Sequence, residues 1–412
     1  MIQAPPHPSH PAPRALVLSG ARVAIDPGHT LRAVLLLRSG KIEAILPGDE
    51  VPAGAAELAD QIDLKDHLIL PGLINVHDHL QFGPFPRLGR GPYPSWREWA
   101  GDVYRPSESP LRALMDIPKE TRLWSGILRN LLSGATTVCH HDAAHPLLSS
   151  PVIPLSVHSA FGWAHSLDDP QWKDRYARTP GDWPFIVHCA EGLDSKSRRD
   201  AAKFRRGARL DDRAVFVHAI GIPQRDWILL QAAGVWIVWC PTSNLHILGR
   251  TLPRNLLLAY PSIALGSDSP ISASGDLLDE LQAARAVCDL PPDLLYRMVT
   301  TRAARLLRLP RQYGSVAAGG PADLLIVRDA GQTPCDSLAT LARSDIVAVL
   351  HKGVVAASSS EFYRRHRRFL PALTGPVGRH GSHWHVAVPA EVLAVDMQQH
   401  ADSSSAYAEV RK

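Results

Sequence analysis

No run of apolar residues in this 412-residue chain approaches the ~20 needed for a helix to cross a bilayer, so no membrane association is expected. Cysteine is scarce: the five residues Cys139, Cys189, Cys240, Cys288 and Cys335 are odd in number, far apart and form no Cys-x-x-Cys pair. That argues against a disulfide framework and against a thiolate zinc site, so any metal must be held by nitrogen and oxygen. An excess of one charge sign is also lacking, since 44 Lys+Arg against 40 Asp+Glu leave +4. The single dense basic run, Arg364, Arg365, His366, Arg367 and Arg368, has no aromatic platform or groove-reading motif beside it. It reads as a solvated helix face, and no nucleic-acid partner is expected. Residues 1–14 lack the charged start and apolar core of a secretory leader, so they read as a disordered N-terminus and a cytoplasmic location is the default.

What is present is an ordinary globular composition, 45% hydrophobic and 20% charged, on a chain long enough for one large barrel with an attachment. Short apolar runs bounded by Gly, Pro and Asp fill residues 15–70 and return at 311–357, the pattern of strands. Together they suggest a small β-sandwich built from both chain ends. Residues 71–310 alternate apolar runs with helical stretches, as parallel strands joined by crossover helices do. The fold class expected is therefore α/β, a distorted TIM-type (β/α)8 barrel plus that β-sandwich. Seven strands are legible, at 72–76, 135–139, 152–157, 184–187, 214–217, 235–239 and 263–266, so one unit before Pro184 is read as degenerate. Residues 358–412 form a C-terminal extension, partly mobile, and His380, His383 and His385 are read as tail residues.

The chemistry is concentrated where strands end. Pro71-Gly-Leu-Ile-Asn-Val-His77-Asp-His79 is an apolar strand closing on two histidines one residue apart. Alternate strand residues share a side, so both imidazoles face one point at the end where a barrel keeps its active site. Three further apolar strands end in His188, His218 and Asp268, and Glu191 follows His188 by three residues. Four strand exits thus carry metal-ligand or proton-transfer groups, and neutral imidazole with carboxylate suits zinc, iron or manganese. His140 and His141, after the second strand, are either pocket or loop residues on this reading.

These motifs resemble the amidohydrolase superfamily in its cytosine deaminase-like branch. The resemblance is carried by residues 71–79, Gly134-x-Thr-Thr-Val138, His188-x-x-Glu191, Cys240-Pro-x-Ser-Asn244, Ala264-Leu-Gly-Ser-Asp268 and Gly320-Pro-Ala-Asp-Leu324. It implies that His77, His79, His188 and Asp268 bind one divalent metal ion, zinc by frequency, with iron or manganese as alternatives. It also implies that Asp268 takes a proton from an activated water, that Glu191 shuttles it to a leaving nitrogen, and that His218 orients the atom that becomes negative. Binuclear relatives add a bridging lysine or carboxylate on the fourth strand. Lys173 is the only lysine between His141 and His188 and does not sit in a strand pattern, so a mononuclear site is expected.

The activity implied is hydrolysis of a non-peptide carbon-nitrogen bond, foremost hydrolytic deamination of a nitrogen heterocycle. A cyclic or linear amide hydrolase and a catalytically inactive scaffold are the alternatives. The partner expected is a small-molecule substrate, and a homo-oligomer is compatible with the sequence. Specificity should come from the long loop 80–105, which carries Phe82, Phe85, Arg87, Arg90, Tyr93, Trp96, Arg97 and Trp99. Such residues suit a flat polar ring and equally suit a plain loop core.

Overall fold

A computed structural model gives the chain's architecture and describes residues 15–394 except 55–58, 106, 109, 110, 274 and 380. The N-terminal segment 1–14, the end of the Ser-rich C-terminal stretch and His380 lie outside the described residues.

Among the described residues, eight parallel strands carry the centre of the molecule. They are β1 (Leu73–Asp78), β2 (Ala135–His140), β3 (Ser156–His158), β4 (Gly162–Ser166), β5 (Phe185–Cys189), β6 (Ala214–His218), β7 (Trp236–Trp239) and β8 (Ile263–Leu265). The first three pair in chain order as one sheet and the other five as a second. A parallel bridge between Asp78 and Asp268 joins β1 to the chain just beyond β8.

In β1, β2 and β5 to β8 every residue is buried, and near-continuous apolar sequence suits parallel strands covered on both faces. Alternate residues enter different cores. Ile74, Val76, Cys139, Ile186, Val215, Val217, Val238 and Ala264 pack with one another and with Ala303 and Leu306. Their neighbours Leu73, Val138, Phe185, Val187, Phe216, Ile237 and Leu265 pack against the helical layer. That layer includes α1 (Lys119–Leu132) and α2 (Leu277–Cys288).

Two sequence expectations change here. The third strand starts at Ser156 rather than Val152, and a strand not anticipated, Gly162–Ser166, follows after only residues 159–161. Its sequence, Gly-Trp-Ala-His-Ser, is too polar to stand out as a buried run. A parallel crossover needs about a dozen residues or more, so no helix separates β3 from β4, and this is where the shrunken unit lies. The stretch before Pro184 then holds β4 and a short helix, Trp172–Arg178, which carries Lys173 with its ammonium over the Trp172 ring.

Both chain ends build one mixed sheet of eleven strands among the described residues. Its junction is the antiparallel pairing of His67–Pro71 with Leu324–Arg328, Ile69 opposite Ile326, and its core includes Leu18, Leu35, Ile69, Leu324, Ile326 and Leu350. The sheet continues beyond 357. Thr374–Arg379 and Ser382–Val386 form a hairpin whose second strand pairs with Val354–Ser359. His383 and His385 are therefore strand residues rather than tail, because Trp384, Val386, Val388 and Val392 supply enough apolar surface to bury the segment. The basic run lies at the end of helix Ser360–His366 and just beyond it, with Arg364, Arg365, Arg367 and Arg368 exposed. No described helix is long and apolar enough to cross a membrane.

Candidate metal centre

The exits of β1, β5, β6 and β8 meet. The Nε2 atoms of His77 and His188 are 3.1 Å apart. Asp268 Oδ1 lies 3.5 Å from His77 Nε2 and 3.7 Å from His79 Nε2, and its Oδ2 lies 3.9 Å from His218 Nε2. Two overlapping groups result, each with all ligand atoms within 4.8 Å of one another: His77, His188, His218 and Asp268, and His77, His79, His141 and His188. No other such group occurs among the described residues, and His383 and His385 belong to neither.

Local backbone features bring these side chains together. Ala190, His218, Ala219 and Asp268 all adopt positive φ, between 54° and 71°. This conformation costs a side-chain-bearing residue of order 1–3 kcal/mol and recurs at functional sites. Gly266 allows β8 to approach β1, since a Cβ there would stand 2.7 Å from the Cβ of His77. Behind the ligands, on the outward face of β1, Asp78 accepts hydrogen bonds from Arg129 at 2.5 Å, Asn130 at 2.8 Å and Ser267 at 2.9 Å. Asn75 Oδ1 accepts from the backbone N–H groups of His77 and Ser267, which ties the β1 exit to the loop after β8.

The electrostatics suit a cation. Burial, reinforced by neighbouring imidazoles, holds His79 and His188 far below the usual imidazole range. Burial also brings His218 down to about 4, so at neutral pH these rings are uncharged and offer lone pairs. Burial opposes ionisation of Asp268, but hydrogen bonding to His77 and the potential of His218 and His77 outweigh it and keep the carboxyl well below its ordinary range. Its Oδ2 also accepts from Ser243 at 2.5 Å and Ser272 at 3.0 Å. The outcome is one buried carboxylate beside the uncharged rings of His79, His188 and His218, ion-paired with no described Arg or Lys. The 3.1–3.7 Å separations among His77, His79, His188 and Asp268 bracket the edge of a tetrahedron with bonds of ~2.0–2.1 Å, about 3.4 Å. Donor chemistry, spacing and unbalanced charge therefore all fit one divalent ion.

Around this set, His188 Nδ1 donates to the carbonyl of His165 at 2.6 Å, and His218 Nδ1 donates to Asn244 Oδ1 at 2.9 Å. Each bond leaves the Nε2 lone pair of that ring free to face the centre. Glu191 is buried with Oε2 3.6 Å from His218 Nε2. Burial, then the charge of Asp268, pushes its carboxyl well above the ordinary range, so it can carry a proton at neutral pH. Cys189 packs towards the helical layer.

Of the loop residues singled out, Phe82, Phe85, Tyr93 and Trp99 form a core of their own with Ile247, Leu248 and Ile271. Phe82 also reaches the site, its ring 6.3 Å from that of His79, and Trp96 and Arg97 approach from the side of His165. The Trp96 ring is 5.5 Å from His165, which is 5.0 Å from His188. Arg97 stacks on Trp96 at 5.1 Å and pairs with Asp168 at 2.6 Å. Backbone bonding of Trp96 N–H to Glu191 O and of Leu193 N–H to Pro94 O docks the loop onto the Glu191 turn. Sequence reasoning missed His165, the Asp78 network and the role of Asn244. His165 could have been found only from the alternation of Trp163 and His165 in an unrecognised strand.

Residues 181–357 match the family described as Amidohydrolase family. The chain is similar to a 5-methylthioadenosine/S-adenosylhomocysteine deaminase of Syntrophobacter fumaroxidans, 24% identical over 365 residues that cover 73% of this chain and 80% of that one. Its fold is similar to that of an adenosine deaminase from Xanthomonas campestris with bound zinc, at TM-score 0.70, 19% identity, and 96% and 100% coverage of the two chains. It is similar also to an atrazine chlorohydrolase mutant from Arthrobacter aurescens complexed with zinc and atraton, at TM-score 0.68 and 18% identity, covering 86% and 100%.

Proposed function

We propose, from the premise that this chain carries an amidohydrolase-family domain, that it is a metal-dependent hydrolase that deaminates a nitrogen heterocycle. The observation that carries this reading is the convergence of buried imidazoles on one carboxylate, unpaired with any described Arg or Lys, at the exits of four parallel strands. The two parallel sheets are read as one distorted barrel with its β3/β4 unit degenerate, and the end sheet as a β-sandwich.

His77, His79, His188 and Asp268 would hold one divalent ion, zinc on the donor set and on the zinc bound by similar folds. When bound, such an ion polarises its ligands and lowers the pKa of a coordinated water towards ~7. The remaining steps belong to the chain. Asp268, ionised and anchored by Ser243 and Ser272, takes a proton from the attacking water. Glu191, held protonated by burial and by the charge of Asp268, donates to the departing nitrogen and is recharged by the proton that Asp268 collects. His218, fixed by Asn244, orients the reacting carbon's substituent. One C–O bond forms, one C–N bond breaks, and the water's hydrogens leave on product and ammonia with no change of oxidation state. Trp96 and His165 offer flat faces beside the site, suited to an aromatic ring. The deaminases among the similar proteins act, by name, on purine nucleosides, so aminated purines are the first class to test.

The test joins elemental analysis of purified protein to an ammonia-release screen over purines, pyrimidines and pterins, with Glu191→Gln as the control. About one ion per chain is expected, with turnover of at least one aminated ring lowered ~10²–10⁴-fold in the variant. Ring opening without ammonia would favour the cyclic amide reading. A protein that takes up no ion under metal-replete expression would sink the proposal.

A further inference from the structure

We propose that His141 is an additional imidazole donor to the ion held by His77, His79 and His188, giving this site four histidines on three strands together with Asp268. The inference rests on the metal reading above and concerns a residue outside the set carried over by resemblance.

In the parallel ladder of β1 and β2, Asp78 stands opposite His140. Chain pairing continues one residue further, with the His141 N–H donating to Asp78 O at 2.8 Å. Side chains alternate. The alternation that turns His77 and His79 inward therefore turns Cys139 and His141 inward on the adjacent strand, and Cys139 does lie in the inner core. His141 is buried to 1% exposure, and its ring centroid lies 4.8 Å from that of His77 and 4.7 Å from that of His188.

The chemistry of the ring completes the case. His141 Nε2 donates to the carbonyl of Ile186 at 3.3 Å, which assigns the proton to Nε2 and leaves a lone pair on Nδ1. That Nδ1 is buried without a hydrogen-bond partner among the described residues. A buried polar atom left unmet is destabilising, and this one belongs to a ring with a ligand atom within 4.8 Å of those of three other histidines. A shared cation meets the lone pair.

A second ion is the competing arrangement. Paired catalytic metals sit about 3.5–4 Å apart and need an anion between them. The two ligand groups, however, share His77 and His188, and the carboxylate Asp268 belongs to only one of them. His141 and Asp268 fall in different groups, so one ion takes both only when these side chains close on it; the shared His77–His188 pair makes that the simpler occupant. Extra imidazole favours borderline ions such as zinc or nickel over manganese, which prefers oxygen.

The experiment compares wild type, His141→Ala and the bulk-retaining His141→Gln after chelation and reloading with cobalt(II), reading the visible ligand-field spectrum. Zinc affinity is measured in parallel against a competing chelator. In both variants the cobalt bands should shift, with partial restoration by added imidazole in His141→Ala, and zinc affinity should fall at least about tenfold, the least that even an outer partner of a ligand contributes. Unchanged spectra and affinities in either correctly folded variant, judged by circular dichroism, overturn this inference and leave the metal reading standing. A wild type that binds neither cobalt nor zinc overturns both.

Discussion

Two buried polar clusters lie back to back on β1 and differ in one respect. On the outward face the Asp78 carboxylate is met by Arg129, Asn130, Ser267 and Asn75, so its charge and lone pairs are answered by the chain itself. On the inward face, one residue away, His77 Nδ1, His141 Nδ1 and His218 Nε2 have no hydrogen-bond partner among the described residues, and the Asp268 carboxylate has no Arg or Lys. Burial does not distinguish the two, since both are nearly inaccessible. The sign of what is left over does: the outer cluster leaves only a donor, Arg129 Nε, without a partner among the described residues, whereas the inner one leaves an imidazole lone pair on His141 and a carboxylate charge on Asp268, both of which call for a cation.

The largest way to break that contrast is to remove what the inner cluster awaits. His77→Ala should bring bound ion and turnover to background, and a chelator should lower the melting temperature of wild type but barely move that of the variant. An ion present at a thousand times its dissociation constant stabilises the native state by ~4.1 kcal/mol. A wild-type melting curve indifferent to the chelator would erase the distinction between the clusters.

The outer brace should respond as structure. Arg129→Met leaves Asp78 buried without its cation and should cost about 3–5 kcal/mol of stability, read by urea unfolding, while folded molecules still take up the ion. Burial already raises the Asp78 carboxyl despite Arg129, and removing Arg129 raises it further. The native state then binds a proton that the unfolded chain releases, so the variant's stability falls as pH rises. Its deficit should therefore shrink on acidification from about pH 8 towards about pH 5. A deficit below about 1 kcal/mol, or one that grows in acid, would show the brace to be ornamental.

How much of this was legible in the sequence follows the same division. The meeting of His77, His79, His188, His218 and Asp268 could be read because each closes an apolar run, and a parallel arrangement puts all strand ends on one side. The end sheet could be read from its two sets of short runs. Gly162–Ser166 could not, because a strand of Trp, His and Ser beside a shrunken unit carries no apolar signature. His141 stayed ambiguous because its inward direction depends on pairing that persists one residue past β2, a fact of register rather than of composition. The Asp78 brace was invisible because Arg129, Asn130 and Ser267 reach Asp78 from 51 to 189 residues away, and nothing in the motifs that contain Asn75, Asp78 and Ser267 marks them as partners.

The smallest test sharpens the contrast at its boundary, where Asn244 belongs partly to each cluster. Its Oδ1 accepts the Nδ1 proton of His218, a brace-like duty, yet its own Nδ2 is buried without a partner. Asn244→Ala should thus be nearly neutral in stability, because it removes one unmet donor along with one bond. Function should suffer more, since the His218 ring loses the contact that fixes its tautomer and angle, and such partners contribute roughly 10–100-fold. The loss should fall on kcat rather than KM if His218 acts on the reacting atoms. Asn244→Asp separates orientation from mere packing: a carboxylate still accepts from Nδ1 and should restore most of the turnover that alanine loses. Equal turnover in both variants would mean that His218 is held by its surroundings alone and that Asn244 belongs wholly to the brace.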